Sequence, residues 1–176
     1  MADAFLRIPN ERIAVLIGSK GKAKKAIEFK TKTRISIDSE TGELQLHGED
    51  GEKLHRAEQI VKAVGRGFPP KKAMLLLGDN IILSVLKLRD IVGKSEKALS
   101  QKKSRIIGRQ GETRNRIEKE TGASISIYGN TISIIGKFEE TDNAEEIIMR
   151  IIDGANIPTA FEMFKEKKMR QERFEL

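Results

Sequence analysis

The chain contains no cysteine and no tryptophan, and only two histidines, four prolines and one tyrosine among 176 residues. Without cysteine there is no disulfide and no thiolate metal site. His47 and His55 alone cannot assemble a zinc site. They fall in an expected strand and an expected helix of one small module, so no Ser–His–Asp grouping is indicated. Neither catalysis nor a cofactor nor a metal is expected. Long apolar runs are also missing. The longest candidate, Met74 to Leu77 and then Ile81 to Leu83, is interrupted by Gly78, Asp79 and Asn80, far short of a membrane span. Met1-Ala2-Asp3-Ala4 lacks the basic-then-apolar layout of a signal peptide. A cytoplasmic location is therefore expected, with no membrane partner. Gly93-Lys94-Ser95 hints at a phosphate-binding P-loop, but the glycine required five places earlier is Leu88.

What is present is charge, unevenly placed. Apolar residues make up 38% and charged residues 34%, with the apolar ones in short periodic runs, as in a folded protein. The formal net charge is +7. From Arg12 to Arg34 there are eight Lys/Arg against one acid; from Gln101 to Lys119 there are seven against two. These windows carry +7 and +5, so the remainder of the +7 chain carries −5. Two focused basic stretches suggest an anionic partner such as nucleic acid.

The two windows are copies of each other. Shifting by 90 places lays Ile17–Ile37 on Ile107–Ile127, with nine of 21 positions identical. They are Ile17/Ile107, Gly18/Gly108, Gly21/Gly111, Ile27/Ile117, Glu28/Glu118, Thr31/Thr121, Ile35/Ile125, Ser36/Ser126 and Ile37/Ile127. The offset then falls to 88 at Leu44/Ile132, Leu46/Ile134 and Gly48/Gly136, and to 87 at Ala57/Ala144 and Glu58/Glu145. Offsets that shrink at turns signal loops of unequal length inside a repeated architecture.

Each copy predicts strand, helix, turn, helix, strand, strand, helix. Phe5–Ile8 and Ile81–Leu88 read as opening strands. Asn10–Ile17, with Asn10 as its cap, and Lys97–Ile107 read as helices running into glycine turns. Lys22–Thr31 and Glu112–Thr121 follow. Thr33–Asp38 and Ala123–Tyr128 alternate polar and apolar residues, as half-buried strands do. The hairpins turn at Gly42 and at Gly129-Asn130, and Leu44–His47 and Thr131–Ile135 return. Closing helices are expected over Glu52–Val64 and Thr141–Ile152, the latter capped by Asp142. Pro69-Pro70 ends the first copy, Lys71–Leu77 reads as a linker helix, and Pro158–Leu176 as a last helix. Its Phe161, Phe164 and Met163 form an apolar face that either packs on the second module or receives a partner.

Gly18-Ser19-Lys20-Gly21 and Gly108-Arg109-Gln110-Gly111 each join two helices. Glycine allows a tight turn and a close backbone approach. The helix that begins there points its N–H groups and positive dipole end at any phosphate laid on the turn. Lys20 and Arg109 add charge. Lys22, Lys24 and Lys25 flank the first turn, and Lys102, Lys103, Arg105, Arg114 and Arg116 the second. Bases would then lie over Ile35–Ile37, near Arg34 and Ser36, or over Ile125, Ser126 and Ile127. Ile17, Ile107, Ile27 and Ile117 read mainly as core, with Ile107 also a candidate at the nucleic-acid face.

Ile-Gly-x-x-Gly, a helix, Ile-x-Ile, a hairpin and a closing helix resemble the KH domain of the eukaryotic type. The resemblance covers nearly all of residues 3–67 and 81–154, and Thr121-Gly-Ala-Ser-Ile-Ser-Ile127 is much like that family's second strand. It implies an α+β fold of two type I KH modules in tandem, each a three-stranded sheet packed on three helices, plus a linker helix and a C-terminal helix. The boundaries are 1–68 for the first module, 69–80 for the linker, 81–155 for the second module and 156–176 for the last helix. KH modules clamp about four nucleotides at the Gly-x-x-Gly loop. Many carry a basic residue where this chain has Ser36 and Ser126, so base preference does not carry over.

The tandem arrangement, the leucine-rich linker from Pro69 to Leu77 and the exit Gly154-Ala-Asn-Ile-Pro158 resemble the archaeal relatives of the Partner-of-Nob family. That resemblance implies a non-catalytic factor of small-subunit ribosome assembly. It would bind single-stranded rRNA near the 3′ end, chiefly through the second module, beside a processing endonuclease. Eukaryotic members tend to lose the first Gly-x-x-Gly, which this chain keeps, so its first module has RNA, protein or both as its task. Two other roles fit the same residues. One is a KH regulator of mRNA or the RNA-binding part of a degradation complex; the other is a scaffold for a nuclease or translation initiation factor.

Overall fold

A computed structural model describes residues 2–174. It divides into two compact units, residues 1–83 and 84–176. In the first, β1 (Ala2–Arg7) leads to α1 (Asn10–Ile17), a one-turn 3₁₀ segment (Ser19–Gly21) and α2 (Lys22–Thr31). Then come β2 (Thr33–Ile37), β3 (Glu43–Gly48) and α3 (Gly51–Gly65). A short helix α4 (Pro70–Ala73) continues as a 3₁₀ turn over Met74–Leu77. The second copy repeats the order with one extra short helix after its first strand: β4 (Ile81–Lys87), α5 (Leu88–Val92), α6 (Glu96–Ile107), a 3₁₀ segment (Arg109–Gly111) and α7 (Glu112–Thr121). It closes with β5 (Ser124–Tyr128), β6 (Thr131–Lys137) and α8 (Phe138–Ile152), followed by α9 (Ile157–Phe174).

Each module holds one three-stranded sheet, ordered β1-β3-β2 and β4-β6-β5. The middle strand is the last of the three in sequence, so β2 and β5 are left as edges. Ile37 pairs with Leu44 across the first hairpin and Ile127 with Ile132 across the second. The first loop is longer by two residues, which accounts for the drop in offset from 90 to 88.

In the first sheet, alternation buries Leu44 and Leu46 and exposes Glu43, Gln45 and His47. The apolar row meets Leu54, Ala57, Ile60, Val61 and Val64 of α3, which recur at helical spacing. In the second module Ile132 and Ile134 of β6 meet Ala144, Ile147, Ile148 and Ile151 of α8. Phe161 and Phe164 of α9 belong to this same core, 0% and 3% exposed, so their face is occupied by the module's own packing. Met163 is not part of it: it is exposed, and its sulfur accepts a contact from Arg150 Nη1 at 3.3 Å.

Two expected caps are corrected. Asn10 is the first residue of α1, after Pro9, and its side-chain amide instead donates to Glu40 O at 3.0 Å, pinning the β2–β3 loop. Asp142 lies inside α8, which starts four residues earlier. Its first turn is closed by Glu140, whose carboxylate accepts from Lys137 N at 2.8 Å. The sequence signals that do mark helix starts are Asp50, accepting from Glu52 N and Lys53 N, and Ser95, accepting from Ala98 N. Asn156 accepts from Thr159 N at 2.9 Å and caps α9.

Candidate nucleic-acid interface

The two Gly-x-x-Gly turns have the same backbone. Gly18 and Gly108 sit at φ/ψ of 70/176° and 74/176°. Lys20 and Gln110 are left-handed, at φ 53° and 52°, as are Gly21 and Gly111, at 74° and 81°. Positive φ with extended ψ is open essentially to glycine alone. The first glycine is also crowded: a Cβ on Gly108 would stand 2.3 Å from Thr113 Oγ1 and 2.7 Å from Thr113 N. On Gly18 it would stand 2.7 Å from Ala23 Cβ. The fourth glycine has room, its nearest neighbours being the flexible ends of Lys25 and Arg114 at 3.8 and 3.5 Å. The first glycine therefore draws the turn against the next helix, and the fourth only sets the handedness. The result projects the middle pair outward: Ser19 and Lys20, and Arg109 and Gln110, are all exposed.

The basic windows are only partly available to a ligand. Arg105, expected at the RNA face, is spent inside the module. Its guanidinium donates to Ile151 O at 2.8 Å and to Ala155 O, closing the C-terminal end of α8. Lys102 Nζ donates to Ile152 O beside it, and Lys103 Nζ to Gly129 O at 3.0 Å. While Lys103 ties down the β5–β6 turn, Arg105 and Lys102 go to the negative end of a helix dipole, where a cation is favoured. Arg12 does the same in the first copy, donating to Val64 O and Phe68 O, both at 2.8 Å. Arg12 and Lys102 are equivalent under the 90-residue shift, a signal that was present in the repeat. Arg116 lies 3.9 Å over the Phe161 ring and seals α9 against α7. Around the second turn, Arg109 stays fully at the surface, with half-buried Arg114 hydrogen-bonded to Asn115. Around the first, Lys20, Lys22, Lys25, Lys30, Lys32 and Arg34 are all exposed, while Lys24 pairs with Glu28 at 3.3 Å.

The strand beside each turn is divided by its own alternation. Ile35 and Ile125 face the core, 1% and 5% exposed, so Ile125 cannot meet a base as expected from its place in Ile-Ser-Ile. Ser36 is exposed, and Ser126, Ile37 and Ile127 are half-buried. Ile17 and Ile107, just before the turns, are half-buried too. These small and aliphatic side chains are the ones left to floor a groove.

The repeat's other identities are structural. Glu28 Oε1 accepts from Ile35 N at 2.8 Å, and Glu118 Oε1 from Ile125 N at 2.7 Å, tying each clamp helix to its edge strand. Thr31 and Thr121 hydroxyls donate to Ile27 O and Ile117 O one turn back. Ile27 and Ile117 are 0% exposed. Among the described residues, no group of three His, Asp or Glu could hold a metal ion, and no helix is long and apolar enough to cross a membrane.

Comparison with known proteins agrees with this architecture. Residues 82–169 match the family model of the second KH domain of Pno1, a eukaryotic-type (type I) KH domain, and residues 4–63 match the general KH domain. A KH domain-containing protein of Methanocaldococcus jannaschii is 36% identical over 98% of this chain and 78% of its own length. Dim2p of Pyrococcus horikoshii, a solved structure, is 40% identical with a TM-score of 0.88, over 94% of this chain and 99% of that one. The chain belongs to the Pno1/Dim2 family of tandem KH-domain proteins. A second Pyrococcus structure of this family, solved as a complex of Dim2p with a/eIF2alpha and rRNA, is 40% identical with a TM-score of 0.89, covering 96% and 95% of the two chains. The pre-rRNA-processing protein pno1 of Emericella nidulans is 32% identical over 72% of this chain, which spans about half (51%) of that Pno1 protein.

Proposed function

We infer that this Pno1/Dim2-family chain is a single-stranded RNA-binding factor of small-subunit ribosome assembly. It grips rRNA near the 3′ end and acts without catalysis, positioning a processing enzyme. The observation that carries the reading is the pair of Gly-x-x-Gly turns of one backbone conformation, each projecting two exposed side chains at the start of a helix that is bonded to an edge strand. In this reading a phosphate lies on Gly108–Gly111 against Arg109 and Gln110, with Arg114 behind. Bases extend toward Ser126, Ile127 and Ile107. The same arrangement at Gly18, Ser19, Lys20 and Gly21 offers a second grip, supported by Lys22, Lys25, Arg34 and Ser36. The rRNA assignment is supported by a relative involved in pre-rRNA processing and by a Dim2p neighbour solved with rRNA. That neighbour also holds a/eIF2alpha, which supports a second reading in which the first module docks a translation factor while the second holds RNA.

The test is binding of the full chain to an oligonucleotide of the small-subunit rRNA 3′ end against a shuffled control. Changing Arg109 and Gln110 together to Asp is expected to remove most affinity and leave the circular dichroism spectrum intact. The same change at Ser19 and Lys20 is expected to cost less. Equal affinity for both oligonucleotides would overturn the rRNA assignment, and an unaffected R109D/Q110D variant would overturn the clamp.

A further inference from the structure

The second helix of the first module carries a feature its copy lacks. Lys22, Lys25 and Phe29 recur at steps of three and four, which places them within about 60° of one another on one face of α2 over about 10 Å of its length, and Lys32 follows as the residue that ends the helix. All four are exposed, and Phe29 is 82% exposed, with its ring in no core contact. The face borders the side of α2 that bears Lys24 and Glu28, and Glu28 is bonded to the edge of β2. The stripe thus runs along the rim of the proposed groove, from the Gly18–Gly21 turn toward Arg34. At the equivalent positions the second module has Glu112, Asn115, Lys119 and Gly122, with no net charge and no aromatic. Lys32 is a second, independent oddity. It ends α2 in the left-handed conformation at φ 52°, where the copy places Gly122 at φ 84°. That conformation penalises every residue with a Cβ, and a strained residue kept at the end of a basic stripe points to use rather than packing.

We propose that α2 of the first module is an extension of the RNA track: a strand leaving the Gly18–Gly21 clamp continues along Lys22, Lys25 and Lys32, with one base stacked on Phe29. A flat aromatic between cations is the arrangement by which proteins hold single strands without regard to sequence. Charge complementarity selects the occupant, since three of the four residues of the stripe are lysines and none is acidic. The proposal rests on the first module binding RNA, and its consequence is that affinity in this module grows with RNA length beyond the four nucleotides of the clamp.

The chain has no tryptophan, so Phe29→Trp supplies a single fluorescent reporter. Full-length protein is titrated with mixed-sequence RNA of four and of twelve nucleotides, with binding followed independently by anisotropy of labelled RNA. The twelve-mer is expected to quench the Phe29→Trp emission and the four-mer to leave it unchanged. Phe29→Ala is expected to weaken the twelve-mer about tenfold, with the four-mer untouched, and Phe29→Trp to restore it. Lys25→Gln with Lys32→Gln is expected to lower the log–log salt slope of twelve-mer binding by about 1.4. Silent emission at RNA saturation, or a Phe29→Ala twelve-mer affinity within twofold of the parent, overturns the proposal. An emission change produced only by a protein ligand does so too, and makes the stripe a protein-docking face. If Ser19→Asp with Lys20→Asp alters neither oligonucleotide, it is the first clamp that fails. If it weakens both while Phe29→Ala weakens neither, the clamp stands and the extension fails.

Discussion

Replacing Gly108 with Ala should do far more damage than replacing Gly111, although both are the glycines of one motif. At Gly108 the backbone is extended with φ 74°, a region that costs a residue with a Cβ about 1–3 kcal/mol. The added carbon would also stand 2.3 Å from Thr113 Oγ1 and 2.7 Å from Thr113 N. Relieving such an overlap costs another ~1–3 kcal/mol, so a loss of about 2–6 kcal/mol is expected. At Gly111 the φ of 81° is left-handed and the nearest contact is the mobile end of Arg114 at 3.5 Å. The cost there is about 1–2 kcal/mol, part of it returned by a stiffer unfolded chain. For a unit of this size each kcal/mol moves the midpoint by about 4–8 °C. At mid-range, about 4 kcal/mol for Gly108→Ala and a net ~1 kcal/mol for Gly111→Ala, the melting of the second module should fall by about 16–32 °C and by about 4–8 °C respectively. The measurement is thermal unfolding by circular dichroism, fitted with separate transitions for the two modules. Adding Thr113→Ala should not rescue Gly108→Ala, because the Thr113 amide remains in the way. Equal shifts for the two glycines, or rescue by Thr113→Ala, would refute the division of labour drawn within the turn.

Arg105→Ala should destabilise the second module by about 2–3 kcal/mol in urea unfolding, because two charged hydrogen bonds to the end of α8 are lost. At native conditions it should bind RNA better than Arg109→Asp does. Glu118→Ala leaves Ile125 N without its acceptor and should cost about 1–3 kcal/mol, with Glu118→Gln recovering much of it. Burial tends to raise the Glu146 carboxyl, but Lys167 and Arg150 outweigh it and hold it below its ordinary value of 4.5. Because the folded value is the lower one, its contribution is present above pH 4.5 and fades as pH falls through the depressed value. Melting measured between pH 7 and pH 3 should show this loss, and Glu146→Gln should flatten that part of the profile.

The repeat made the fold legible. Strict alternation in Thr33–Ile37 and helical spacing in α3 and α8 admit one arrangement of elements, and the shrinking offsets locate the unequal hairpins. Capping was read less well. Asn10 and Asp142 have the right chemistry for caps, but a tertiary acceptor claimed the first, and the start Phe138-Glu139-Glu140, whose one apolar side chain stays exposed, concealed an extra turn before the second. The clamp turns were legible because glycine spacing is a backbone statement. The disposition of charge was not. Lys102, Arg105 and Arg12 look like ligand-binding residues in sequence, and only the three-dimensional placement of the α3 and α8 ends shows that carbonyls take them. Ile125 was misread for a related reason: Ile-Ser-Ile names two isoleucines, but the alternation that buries Ile125 leaves only Ile127 near the surface.

The carboxylates of Glu28 and Glu118 have one more effect. An edge strand offers a row of unpaired amides on which a foreign strand can grow, the usual route to sheet extension and aggregation. Here one outward amide of each edge, that of Ile35 or Ile125, is already taken, at 2.8 Å in one module and 2.7 Å in the other. A guest strand approaching β2 or β5 loses one main-chain hydrogen bond there, which favours a ligand held by its side groups or bases. The clamp-side edge of each module is thereby made a poorer template for strand addition.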